Sequence, residues 1–279
     1  MNRIWNLAAG CGAIFFIAAT LAAQDKAPAL PSAASANTPP SASEHSVPPA
    51  TPETLAKGNS IVLAAAKAAG GDALKSLKSV EVTTSGKAAS PDGQIDITIK
   101  LTIEYPNLLV TEAKLPDRTV LQGFDGSLGW LSVPEGTIDL PAEYNAEFER
   151  GIALAGGWGL YRDAMAGKSK VQYLDEEEFD GTRAIAVQWE GPRDAVKLFF
   201  DPATHLLVGA HFRSLRPQGP VEVDQRWSDY RAVGDFQYPY HNVVIHDGVQ
   251  FSETTVQDVK INPNLDPSIF GKAATAPAK

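Results

Sequence analysis

The sequence predicts a mostly β, α+β protein: a large curved antiparallel sheet with a few helices on one face. Two observations carry that prediction. The stretch QIDITIKLTIEYP, 94–106, alternates without a break, setting Ile95, Ile97, Ile99, Leu101, Ile103 and Tyr105 against Asp96, Thr98, Lys100, Thr102 and Glu104. Strand-like runs then recur at short intervals, punctuated by Gly, Asp, Asn and Pro in SPDGQ, YPN, LPD, DPATH and HDGVQ, with no βαβ alternation.

The chain opens on Arg3 and an apolar run over 4–23 that ends in small residues, Thr20, Ala22 and Ala23, before the polar Gln24, Asp25 and Lys26. This is the anatomy of a secretory signal peptide cut after Ala22 or Ala23. The run nearly reaches the roughly 20 residues of a spanning helix, so an uncleaved inner-membrane anchor is the alternative. Cys11 is the only cysteine, and the apolar run GAIFFIAATLAA comes after it rather than before it, unlike a lipoprotein signal. A processed chain would hold no cysteine, hence no disulfide and no thiolate metal site. Residues 24–52 are Ala, Pro and Ser with almost no large apolar side chain, and read as a disordered linker.

The folded domain is expected over 53–271, with a disordered tail at 272–279. Its first element is a helix over 52–71, in which Leu55, Ile61, Val62, Ala65 and Ala69 recur at helical spacing until Gly70 and Gly71 stop it. A short second helical turn follows at 72–78. Strands are predicted at 80–87, 94–106, 108–115, 118–124 and 130–133, then a helical interruption at 141–165. Further strands are predicted at 170–176, 183–189, 195–201, 206–213, 221–230, 240–246 and 249–259. FDGSLGW and FDGTRAIAVQW are glycine-bearing stretches that resemble pieces of an active site. They read instead as hairpin turns, because neither leads into a helix whose amides would hold a phosphate.

The formal net charge of −9 argues against nucleic acid and against electrostatic docking to anionic lipid heads, both of which want a basic face. His205 and His211 share a parity but lack a carboxylate pair to complete a metal set, so no metal and no cofactor are expected. The acidic run 175–178 lacks the alternating ligands of a calcium loop. No G-x-S-x-G elbow is present and no Ser is followed by a persuasive His and Asp arrangement in the sequence, so the expectation is a non-enzymatic protein.

Apolar side chains align along single strands, for example Ile185, Val187 and Trp189, or Val196, Leu198 and Phe200. Most of these belong to a core under the helices. A wide sheet covered by only short helices nevertheless leaves room for an apolar ligand cleft on its concave face.

The order of AAGGDALKSLKSVEV, the long alternating strand, FDGSLGW, LDEEEFDGTRAIAVQW, VKLFFDPATHLLVGAHF, WSDYRAVGDFQYPYHNVV and VQDVKINPNLDPSIF resembles the LolA/LppX-like superfamily of periplasmic outer-membrane lipoprotein-sorting proteins, over about 55–271. The shared features are hairpin punctuation, not catalytic motifs. The resemblance implies an incomplete β-barrel with helices as a lid and a hydrophobic cavity for acyl chains. Family members hold the lid with an arginine, which aligns to no single position here. The resulting expectation is a periplasmic, non-catalytic carrier of a lipid or lipoprotein acyl chain, its cavity lined by Ile97, Ile99, Leu101, Ile103, Phe124, Trp130, Trp189, Phe200 and Trp227. The alternative is an envelope protein-interaction or accessory domain without a small-molecule ligand, working with an envelope protein partner.

Overall fold

The computed structural model describes residues 48–91, 93–216 and 219–272. The expected signal segment, Cys11, the linker up to residue 47 and the tail from 273 lie outside these residues.

Among the described residues a single 13-stranded sheet dominates the fold, in the order β6-β5-β4-β3-β2-β1-β13-β12-β11-β10-β9-β8-β7. Its first half comprises β1 (Ser79–Ser90), β2 (Gly93–Glu104), β3 (Leu108–Lys114), β4 (Thr119–Phe124), β5 (Gly129–Val133) and β6 (Gly136–Asp139). The second half comprises β7 (Val171–Phe179), β8 (Thr182–Glu190), β9 (Ala195–Phe200), β10 (Leu207–Ser214), β11 (Val221–Val233), β12 (Phe236–His246) and β13 (Val249–Ile261). All the pairings are antiparallel.

The chain enters in the middle of this sheet. β1 pairs with β2 on one side and with β13 on the other, so the first and last strands form the seam. Strands β6 and β7, adjacent in sequence, lie at opposite edges. Two meanders are therefore joined through β1 and β13, and the unpaired edges leave an incomplete barrel. Between β6 and β7 the chain crosses the concave face as α2 (Asn145–Leu154) and α3 (Trp158–Met165). The sheet edges are kept from pairing further by the shortness of β6 and by Asp175, Glu176, Glu177 and Glu178 on β7.

Helix α1 (Pro52–Ala69) precedes β1. Its start is a capping box: the Thr54 amide donates to Thr51 Oγ1 at 3.2 Å and the Thr51 amide to Thr54 Oγ1 at 2.9 Å. Gly58 lets the helix lie directly on β7, since a Cβ there would collide with the Val171 carbonyl. Val62, Ala65, Ala66 and Ala69 make its buried stripe. The expected second turn is a 3₁₀ segment, Gly71–Ser76.

The hairpin dipeptides act as turns. Asp180 and Gly181 both have positive φ, +51° and +75°, as do Asp247 and Gly248 at +47° and +80°. In FDGSLGW, Asp125 Oδ1 accepts from the amides of Ser127 and Leu128 at 2.9 and 2.8 Å. The alternation pattern misses β6, which has only four residues, and starts β12 late, because the turn at Gly234 makes β11 and β12 a longer hairpin than expected.

Candidate functional site

A cleft lies between α2 and the middle of the concave face. Its apolar wall is Leu101 of β2, Phe212 of β10, Trp227 of β11, Val256 of β13 and Leu154 of α2. It exists because small residues meet across it: Gly151, Ala155 and Gly156 on the helical side face Thr84 of β1 and Thr254 of β13. The cleft volume is about 80 Å³, well below the roughly 300–1,000 Å³ of sites that hold drug-sized ligands.

Polar groups complete the lining. Thr84 and Thr254 Oγ1 are buried without a hydrogen-bond partner, and Thr254 is only 3% exposed. Gln225 Nε2 donates to Asn242 Oδ1 at 2.9 Å. On the helical side, Arg150 pairs with Glu147, both 3% exposed. The Arg150 guanidinium also sits 4.2 Å from the centroid of the Phe212 ring. Glu147 accepts from Ser214 Oγ at 2.8 Å and from the Leu215 amide at 3.1 Å, with Arg193 at 3.7 Å. Burial pulls the Arg150 pKa below its ordinary value, against the opposing charge of Glu147.

The helical cover is jointed. Between α2 and α3, Gly156 and Gly157 take φ of +62° and +74°, which only glycine adopts at low cost. A Cβ on Gly156 would stand 2.5 Å from the Tyr238 ring, and one on Gly157 2.6 Å from the ring of Tyr161. Beyond this joint, α3 is anchored by Trp158, which packs against Phe236 and Tyr238 with centroids 5.2 and 4.9 Å away. The Arg162 guanidinium caps the Leu77 carbonyl.

The residues expected to line a cavity separate into four places. Leu101 and Trp227 line the cleft. Ile103, Phe124, Trp189 and Phe200 are in the main core, where Phe124 stacks on Phe148 of α2 at 5.7 Å. Ile97 and Ile99 lie further along the face of Leu101, in a small cluster with Ala88 and Ala113 against Phe251 and Leu115. Trp130 is on the opposite face: Phe124 and Gly129 face α2, so their strand neighbours Gly123 and Trp130 point outward. There its indole N–H donates to the Phe270 carbonyl at 2.8 Å, pinning the C-terminal segment to the sheet.

Glu147 and Arg150 were missed because charged residues were read as solvated. Their sequence signal is position: 147, 150, 151 and 154 share one helical face, which ends in the apolar Leu154. Thr84, Thr254, Gln225 and Asn242 were missed because an isolated polar residue in a strand does not announce which face it is on.

A polar array lies elsewhere. Ser228 Oγ is 3.0 Å from His241 Nδ1, and His241 Nε2 is 2.9 Å from Glu253 Oε1. Trp227 and Asn242 point into the cleft, so their paired neighbours Ser228 and His241 fall on the outer, exposed face. The array links three adjacent strands, on the face of the sheet opposite the cleft. Among the described residues no group of His, Cys, Asp or Glu is gathered to hold a metal ion, and no helix is long and apolar enough to cross a membrane.

No family model matches the chain, and no curated protein matches it. Solved structures do. A domain ascribed to outer membrane lipoprotein sorting in Vibrio parahaemolyticus is 11% identical with a TM-score of 0.52, over 78% of this chain and 97% of the other. A LolA superfamily protein from Nitrosomonas europaea is 15% identical with a TM-score of 0.51, over 77% and 97%. A DUF1329 family protein from Desulfovibrio piger is 9% identical with a TM-score of 0.54, over 78% and 98%. At such identities the likeness is one of fold, and the fold is LolA-like.

Proposed function

We propose that this protein is an exported, periplasmic binding protein that carries an acyl chain of a lipid or lipoprotein in the cleft between α2 and the sheet, without catalysis. The observation that carries this reading is an apolar cleft covered by a short helix joined to the next through two left-handed glycines. At about 80 Å³ the cleft is too small for a long acyl chain, so uptake requires α2 to move off the sheet about Gly156 and Gly157. Movement would open Leu101, Phe212, Trp227 and Val256 to a chain in place of Leu154. About ten buried methylenes supply about 8 kcal/mol before the costs of association, enough for useful affinity with no cofactor.

The test is native mass spectrometry with organic extraction of the full chain purified from its own envelope, followed by titration with a fluorescent fatty acid. A co-purifying lipid or acyl peptide, or saturable uptake, supports the carrier. A lipid-free protein that takes up no probe overturns it and favours the second reading, a platform for an envelope protein partner. The small volume of the cleft and the filled core around it are the observations that favour that alternative.

A further inference from the structure

Resting on the acyl-carrier reading, we propose that the cleft selects lipids by an uncharged polar group, an ester, amide or hydroxyl, held by Thr84, Thr254, Gln225 and Asn242, with the apolar chain against Leu101 and Phe212. Thr254 is 3% exposed, lines the cleft, and has a hydroxyl with no partner; Thr84 Oγ1, on the adjacent strand, is equally unpartnered. Buried hydroxyls without partners are rare because each forfeits its hydrogen bonds to water. Two of them on one cleft wall mark the place where a ligand completes the hydrogen bonding.

The neighbouring amides extend the same chemistry. Gln225 and Asn242 are joined to each other at 2.9 Å, and each amide retains further donors and acceptors for a ligand. These side chains cross β1, β13, β12 and β11 as a belt along one side of the cleft.

The group held there is uncharged because the cation on the wall is already matched. Arg150 is paired with Glu147, which Ser214 and the Leu215 amide hold in place. An anionic headgroup would have to displace Glu147 from its buried pair with Arg150, leaving that carboxylate only the more distant Arg193, at 3.7 Å. A neutral glycerol ester or amide meets no such obstacle.

The experiment compares monodecanoylglycerol with decanoate as competitors for a fluorescent fatty acid. It uses the full chain and its Thr254→Val, Thr84→Val and Thr254→Ser variants, with melting temperature as the check on folding. The expected result is tighter binding of monodecanoylglycerol than of decanoate by wild type. Each valine variant should lose roughly threefold to tenfold in affinity for the glycerol ester, the worth of one hydrogen bond, while melting at or above the wild-type temperature. Thr254→Ser, which keeps the hydroxyl, should retain wild-type affinity. Equal or tighter binding of decanoate, or valine variants with unchanged affinity for the glycerol ester, overturns the polar-group proposal and leaves the acyl cleft standing. If neither the fluorescent acid nor the two competitors bind, the carrier reading itself falls, and this inference with it.

Discussion

Glu147 and Arg150, one turn apart on α2, form an ion pair in which each residue is 3% exposed, and Glu147 also receives the Ser214 hydroxyl and the Leu215 amide. The helix over the cleft is thus fastened to the end of β10 by a buried polar latch. Such a pair is weak evidence of net stability, but losing one partner strands a charge.

The first prediction concerns that latch. Glu147→Ala should destabilise the protein by about 3–5 kcal/mol, whereas replacing both residues together, Glu147→Leu with Arg150→Met, should cost much less. Urea unfolding midpoints of the single and double variants give the comparison; equal losses would show that the charges are not energetically coupled.

The joint between the helices is the second. Gly157→Ala must place a side chain at φ +74° and against the Tyr161 ring. A loss of about 1–3 kcal/mol in thermal or chemical unfolding is expected. Gly167, which also has positive φ (+69°) but open space around it, should tolerate alanine better.

Two tryptophans on opposite faces supply the third. Trp130→Phe removes the hydrogen bond to the Phe270 carbonyl and should cost about 1–3 kcal/mol while leaving fatty-acid affinity unchanged. Trp227→Phe, in the cleft wall, should weaken uptake of the same probe several-fold. Loss of affinity in the Trp130 variant alone would place the ligand on the wrong face of the sheet in our assignment.

The fourth is a pH dependence with two limbs. Burial, then the charge of Arg216, push the His246 pKa down to about 3 from its ordinary 6.5. Folding thus favours its neutral form, a contribution present above pH 6.5 and lost progressively as pH falls from 6.5 toward about 3. His211 behaves oppositely: its hydrogen bond to Asp224, 2.7 Å long, raises its pKa. That contribution is present below pH 6.5 and is lost as pH rises through the raised value, and solvent weakens it because the imidazole is 43% exposed. Urea midpoints across pH 4–8 should show His246→Gln flattening the acid limb and His211→Gln flattening the limb above 6.5.

Much of the sheet was legible because alternation is a local property. Residues 94–106 could bury one face only as a strand, and β2 is that strand as far as Glu104, with Tyr105 and Pro106 in the turn beyond it; the helix ending at Gly70 and the turns at Asp125, Asp180 and Asp247 were equally local in origin. The cleft was less legible. Of the residues expected to line it, Leu101 and Trp227 do, while Phe124 and Phe200 meet core and Trp130 faces away. An apolar residue in a strand announces burial, but not whether helix, ligand or C-terminal segment will cover it.

By itself, then, the sequence determined the antiparallel class, the turns and most of the elements, β6 excepted, since each depends on neighbours a few positions apart. Only the tertiary structure decided that β1 would meet β13, 2.0-residue alternation being indifferent to which strand lies alongside. It alone decided that Glu147 and Arg150 would be buried together and that Thr84 and Thr254, 170 positions apart, would share one wall. These relationships arise from packing between distant segments, where the free energy depends on what lies opposite rather than on what lies next in the chain.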